Sequence, residues 1–494
     1  MGTISFTLPP DIPADSQREL GRSCLAGGFD NSPSPSEIRS GPGKMTVYRA
    51  LDESGYLLAP WLVDGAGRLM TPTATLIERE TPYALEIEIA RGKINQIRNQ
   101  LGDWQDNGIP LPPEFDGAVR DLSRRFGQVV IDPNSDLARQ QIRAVIADAF
   151  RVAEKLAMSQ ADRLFTMRHA RFPRLETALG CQVGSLPGTT AEPLKMATNA
   201  VCVPLTWKEI EPVESKYRWD DADKVVDWAL RNGMRVSAGP LIDLSHHSLP
   251  DWLSLWEGDL PNIANFIFDY VGTAVARFRK RIRRWQIVGA ANMATGLSLS
   301  EDDVLVLIAR ICETVLQVDP GIEIVIGLAQ PWGEYLCREE RTYSGFVFAD
   351  TLLRGGLHLA ALDLEIAVGV WPRGSYCRDA IEISRLLDHY SQLGIPIQVT
   401  LAYPSSMDDD AQAERGQRLD AGFWHGGFDP STQADWASMV ATVAASKPYL
   451  SGIHWAHLTD SLPHRFPNCG LFDRNNQPKP ALERLRKLRE AHLR

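Results

Sequence analysis

Along the chain the apolar positions change period twice. From residue 4 to about 85 short alternating runs, "ISFTL", "KMTVYRA", "YLLAPWLV" and "TATLIERE", are broken by "GGFDNSPSPSEIRSGPG" and "DGAG". Period two bounded by Gly, Pro, Ser and Asp predicts a small antiparallel β domain over residues 1–85. Between about 86 and 171 the spacing becomes three and four, in "EIARGKINQIRNQLGDW" and "LARQQIRAVIADAFRVAEKLAMSQADRLF", with long stretches free of Pro. That period predicts helices, packed on whatever follows.

From 172 to 494 a third regime alternates short β-rich runs with amphipathic helices. The predicted strands are "CQVGSL", "NAVCVPL", "MRVSAGPLI", "WQIVGA", "EIVIGLA", "LDLEIAVGV", "PIQVTLA" and "LSGIHWAHL". Segments such as "WDDADKVVDWALRNG", "EDDVLVLIARICETVLQV" and "DAIEISRLLDHYSQLG" read as the helices between them, ending in Gly or Asn signals. Eight such units predict a closed (β/α)8 barrel, a TIM barrel, rather than an open doubly wound sheet. Neither a GxGxxG nor a GxxxxGK[ST] phosphate loop is present, which removes the usual nucleotide-binding folds and any cofactor they would imply.

Composition changes the picture little. A 494-residue chain with 44% hydrophobic residues has ample material for a large core. Its 52 Lys and Arg against 62 Asp and Glu give a net charge of −10, the wrong sign for a nucleic-acid partner. The opening "MGTISFTLPPDIPAD" lacks the basic flank and apolar centre of a signal peptide, and no apolar run is long enough to span a membrane, so a cytoplasmic location without a membrane partner is expected. Seven scattered cysteines without CxxC spacing read as free thiols, with no metal site expected. Oligomeric state is not legible.

The candidate chemistry lies in two stretches. In "WKEIEPVESKYRWDDADKVVDWALRNGMRVSAGPLIDLSHHSLPDW", Trp207, Glu211, Pro212, Ala222, Asp223, Asn232, Gly233, His246, Pro250 and Trp252 resemble the pattern of glycoside hydrolase family ten, the xylanase family. Near the other end "IHWAHLTDS" and "GLFDRNNQPKPAL", with Trp455, Asp460, Leu471, Phe472, Asp473, Lys479 and Pro480, resemble that family's last strand and closing loop. The resemblance implies a barrel over residues 172–494 and a carbohydrate ligand. It also implies retaining hydrolysis by two carboxyl groups about 5 Å apart. Yet the acid/base position falls on Ala290 and the nucleophile position on Leu401; positions that would contact sugar fall on Cys202, Val203, Thr206, Leu241 and Ser245. A methyl and an isobutyl group neither donate a proton nor attack a carbon.

Three readings therefore stay open: a catalytically degenerate barrel that binds a glycan or related polyol, an active O-glycosyl hydrolase with relocated carboxylates, and a structural or assembly protein. The substitute acids would be Glu334, Glu365 and Asp243. Glu365 lies in an otherwise apolar run, so it needs a partner, Arg378 being one candidate for a purely structural ion pair. Ligand contacts are expected from Trp207, His246, Asn292, Gln330, Trp332, Tyr335, Trp455, His457 and Asp460, with Trp371 and Trp424 as further stacking surfaces. Core packing for Trp207, a loop cap for Asn292 and core or loop positions for the histidines, including His247 and His454, are the alternatives.

Overall fold

The computed structural model describes residues 2–49, 54–131, 136–244, 248–256, 258–297, 299–339 and 341–494. Eight parallel strands form the barrel. They are β1 (Ala178–Cys181), β2 (Ala200–Val203), β3 (Arg235–Ala238), β4 (Arg284–Gly289), β5 (Glu323–Ala329), β6 (Ala361–Ala367), β7 (Ile397–Ala402) and β8 (Leu450–Trp455). A short extension, Ile242–Asp243, carries the third strand past a bend to pair with β4. The ladder runs from β2 through β8 to β1, and a bridge between Gln182 and Cys202 closes it. Each predicted strand is found, with β1 beginning three residues earlier than "CQVGSL".

Side chains on these strands sort by the two-residue period. In β6 all seven residues are buried: Leu362, Leu364 and Ile366 face the helices, while Asp363 and Glu365 fall on the other face. The barrel interior is consequently polar where branched apolar layers are usual. Arg284 reaches across it to Gln398 Oε1 at 2.8 Å, and Thr400 and Gln286 both donate to Asp363 Oδ2, at 2.8 and 3.2 Å. Gly327 makes the crossing possible, since a Cβ there would lie 2.2 Å from Gln286 Nε2. Ser300, Ser344, Asp379 and Asp429 cap the helices Glu301–Val318, Gly345–Arg354, Ala380–Ser391 and Pro430–Ser446 by accepting from first-turn N–H groups.

Ahead of the barrel lie two antiparallel-rich sheets and three helices. One sheet orders Ser36–Gly41, Lys44–Arg49, Gly2–Thr7 and Tyr83–Ala84; the other orders Phe423–Trp424, Gly67–Leu76, Gly55–Val63, Cys24–Gly27 and Ser32–Ser34. The Gly/Ser/Pro-rich stretch read as a break between strands thus holds strands of its own. More telling, Phe423–Trp424 belongs to the loop after β7, so the barrel donates an edge strand to the amino-terminal sheet. The helices Leu85–Asp106 and Asp136–His169 follow the predicted period, and Glu114–Ile131 joins them. The longest packs on barrel helices Ala380–Ser391 and Pro430–Ser446. A buried ion pair, Lys93 Nζ to Asp379 Oδ2 at 2.6 Å, ties the helical segment to the barrel. No helix among the described residues is long and apolar enough to cross a membrane.

Candidate functional site

Loops after the strands open a cleft of about 1150 Å³ at the carboxyl ends of the barrel strands, the rim where such folds place their chemistry. Its wall carries Asp243 and the loop after β8, including His457, His464 and Arg465, and its aromatic surface comes from Tyr217 and Trp219. Those two rings stack at 5.4 Å between centroids and 20° between planes.

Beside Asp243 lies a network of opposite charges. Asp243, only 3% exposed, is bonded through Oδ2 by Arg373 Nη2 and approached by Arg465 Nη1 at 3.4 Å. The other arm of the Arg465 guanidinium, Nη2, is bonded to Glu365 Oε2. Arg373 also lies 3.8 Å from Glu414. Burial works against the Arg373 charge, but the carboxylates of Asp243, Glu365 and Glu414 outweigh it and hold its proton above the ordinary range. Two acids therefore do face one another here, at the span of a single guanidinium. The Arg465 guanidinium lies between them. Glu365 Oε1 is left buried without a hydrogen-bond partner among the described residues.

Glu365 thus finds its arginine a hundred residues downstream, at Arg465, and Arg378 is instead the partner of Glu334. Glu334 and Arg378 are both 0% exposed and meet at 2.6 Å, while Glu334 Oε2 accepts from Tyr376 N at 3.0 Å. This pair is sealed away from the rim cleft.

The two positions to which the family resemblance assigns catalysis are also closed. Leu401 is 0% exposed in β7. Ala290 is buried at the end of β4 in a left-handed conformation, φ 46°, leading into the short turn Ala291–Met293.

Most expected ligand contacts are committed elsewhere. Asn292 pins β4 to β5, accepting from Ala329 N at 3.0 Å and donating to Ala329 O at 2.9 Å. Gln330 donates to Pro372 O at 2.6 Å, and the Tyr335 hydroxyl donates to Tyr343 O at 2.8 Å. Trp207 donates to Glu211 and stacks on Tyr270 in the core; Trp455, equally buried, donates to Cys469 O. Trp332 is half-buried beside the Arg378 guanidinium, and Trp424 is buried. Trp371 has Arg22 at 4.8 Å and Arg338 at 3.8 Å from its ring centre, so cations take the places a sugar would. His246, with His247 and Ser245, lies outside the described residues.

His457 and Asp460 do lie at the cleft, among a third polar group. Asp460 binds Lys479 at 2.5 Å and accepts from Gly470 N at 2.6 Å. Burial alone would raise its pKa, but His457 and Lys479 reverse that and hold the carboxyl well below the usual range. His457 is pushed down to about 4, chiefly by burial; its Nε2 lies 3.6 Å from Asp460 Oδ1, and neither ring nitrogen makes a hydrogen bond among the described residues. It stacks on His464 at 4.3 Å with planes 9° apart.

Donor atoms of His457, Asp460 and His464 come within 4.8 Å of one another, but parallel rings cannot aim their in-plane lone pairs at one ion. His464 is moreover engaged on both sides, by Leu462 O at 2.7 Å and Asp410 Oδ2 at 2.9 Å. Sequence reasoning missed Arg373, Arg465, Glu414, Asp410 and His464. The single signal was a glutamate inside an apolar strand, which announces a partner without saying where.

Strand order and rim cleft define a (β/α)8 barrel. Residues 192–301 match the sequence profile of Glycosyl hydrolase family 10, and the barrel is xylanase-like. Endo-1,4-beta-xylanase B of Thermotoga neapolitana is 24% identical over 304 residues, 58% of this chain and 79% of that protein. Endo-1,4-beta-xylanase 3 of Hypocrea jecorina is 30% identical over 84 residues, 17% of this chain and 23% of its own. Among solved structures, xylanase 10B from Thermotoga petrophila in complex with xylobiose superposes with a TM-score of 0.47 at 18% identity, covering 64% of this chain and 94% of that one.

Proposed function

We propose that the protein binds a carbohydrate, a xylo-oligosaccharide being the first candidate, in the rim cleft without cleaving it. The Arg465 guanidinium, seated between Asp243 and Glu365, carries this reading. A carboxyl pair that breaks a glycosidic bond has to reach the sugar from two sides, one group with a proton to give. Here each carboxylate is bonded to an arginine, and the space between them is filled. Family positions Ala290 and Leu401 add no functional group. Enzymes of this kind lower their barriers by about 8–23 kcal/mol, which orientation alone does not supply. The xylanase names of the relatives support the choice of ligand, and the half-buried rings of Tyr217 and Trp219 line the cleft as its aromatic surface.

Purified protein incubated with aryl β-xylosides and xylo-oligosaccharides should release no product, while the same oligosaccharides raise its melting temperature by favouring the native state. Trp219→Ala should abolish that rise. A specific observation favours the second reading, relocated catalysis: Asp243 and Glu365 sit within one guanidinium of each other. Turnover that Glu365→Gln abolishes would establish it in place of the first. Neither turnover nor a thermal shift would remove both and favour an assembly role.

A further inference from the structure

The opposite end of the barrel holds a second cavity. It measures about 610 Å³, opens among the amino-terminal ends of the strands, and is lined by Arg168, Arg235, Arg283 and Arg284 against Glu176 and Glu323. Glu176 is already taken on its outer side by Arg494, and Glu323 is shared between Arg283 and Arg284, at 3.1 and 3.0 Å. Positive charge is in excess. Among the described residues Arg235 donates to the backbone carbonyls Glu176 O and Thr177 O; burial disfavours its charge, the Glu176 carboxylate opposes that, and the nearby Arg284 adds to it. Arg168 likewise rests on three carbonyls and is disfavoured by burial.

His454 points to what is missing. It lines the same cavity and is 4% exposed, yet neither ring nitrogen has a hydrogen-bond partner among the described residues. The chain makes room for it at two places: a Cβ on Gly180 would lie 3.0 Å from its Cδ2, and one on Gly452 would lie 3.2 Å from its Cε1. An imidazole held in a fitted slot at a cavity wall can give its N–H to whatever fills that cavity. Burial, then Arg284 and Arg235, push its pKa down to about 4, so at neutral pH it offers one N–H.

We propose that this amino-terminal mouth binds a small phosphomonoester, its dianionic head held by Arg284, Arg235 and the His454 N–H. Guanidinium forks match phosphate oxygens in geometry and charge. The volume exceeds what a bare ion fills and falls in the range of small-molecule sites, which assigns an organic portion, sugar-sized, to the remaining space. The site is separate from the rim cleft and does not depend on its function.

Isothermal titration of the full chain with inorganic phosphate, glucose 6-phosphate and gluconate tests this. Glucose 6-phosphate should bind most tightly, inorganic phosphate more weakly and gluconate least. His454→Asn and Arg235→Gln, the second at an exposed residue at the start of its strand, should weaken binding, the first by on the order of tenfold. Trp219→Ala in the rim cleft should leave it unchanged. Failure of all three probes to bind the wild-type protein would overturn the site, as would phosphate binding unaltered in both mouth variants. Inorganic phosphate binding as tightly as glucose 6-phosphate would overturn the monoester assignment.

Discussion

Glu334→Gln separates a catalytic acid from a structural one. Glu334 meets Arg378 at 2.6 Å with both residues 0% exposed, and two of the three Arg378 nitrogens, Nε and Nη1, have no other partner. Glutamine keeps the shape and the acceptor for Tyr376 N but removes the charge, leaving a guanidinium buried alone beside Trp332. At an effective dielectric constant near 20, opposite charges at about 4 Å attract by about 4 kcal/mol. Breaking one side of a buried pair costs about 3–5 kcal/mol.

In differential scanning calorimetry the variant should melt roughly 3–5 °C below wild type. The double variant Glu334→Gln, Arg378→Met should recover most of the loss, because removing both charges removes the stranded one. A single variant melting within about 1 °C of wild type would refute the reasoning, since the guanidinium would then be hydrated rather than sealed. Loss of ligand turnover at unchanged stability would make Glu334 a chemical group.

Burial, opposed by the Thr400 hydrogen bond, raises the Asp363 pKa from 3.8 to about 7, so the native state holds the extra proton between those values. Stability should therefore fall as pH rises from about 4 to about 7 and level off above, and Asp363→Asn should raise the melting temperature at pH 8 but hardly at pH 4. Ala290→Gly should be neutral or stabilising by up to about 1 kcal/mol in urea denaturation, because φ 46° strains an alanine and not a glycine. Leu401→Glu should destabilise by several kcal/mol through a buried unpaired carboxyl, and should confer no xylosidase activity while Arg465 fills the gap.

Glu365 shows where sequence reading stops. Its place in an apolar strand announces an inward carboxylate, and β6 does bury it on the face shared with Asp363. Its partner is not on a neighbouring turn or strand but in the loop after β8, a separation no periodicity encodes. The same holds for the aromatic candidates. Tryptophans 207, 371, 424 and 455 are visible in any reading of the chain, yet hydrogen bonds, packing and arginine contacts withdraw all four from the cleft. Tyr217 and Trp219, which do line it, sit in an ordinary-looking loop.

Local order alone determined the alternation of strands and helices, the eight-unit count and hence the barrel, because periods of two and 3.6 are properties of neighbouring residues. The likeness to family 10 and the methyl and isobutyl groups at Ala290 and Leu401 were likewise legible. Only the tertiary structure decided that Arg465 bridges two acids, that Phe423–Trp424 completes the amino-terminal sheet, and that four arginines converge with His454 beneath the barrel. Each joins segments tens to hundreds of residues apart, and such contacts are set by barrel closure and loop packing rather than by any pattern along the chain.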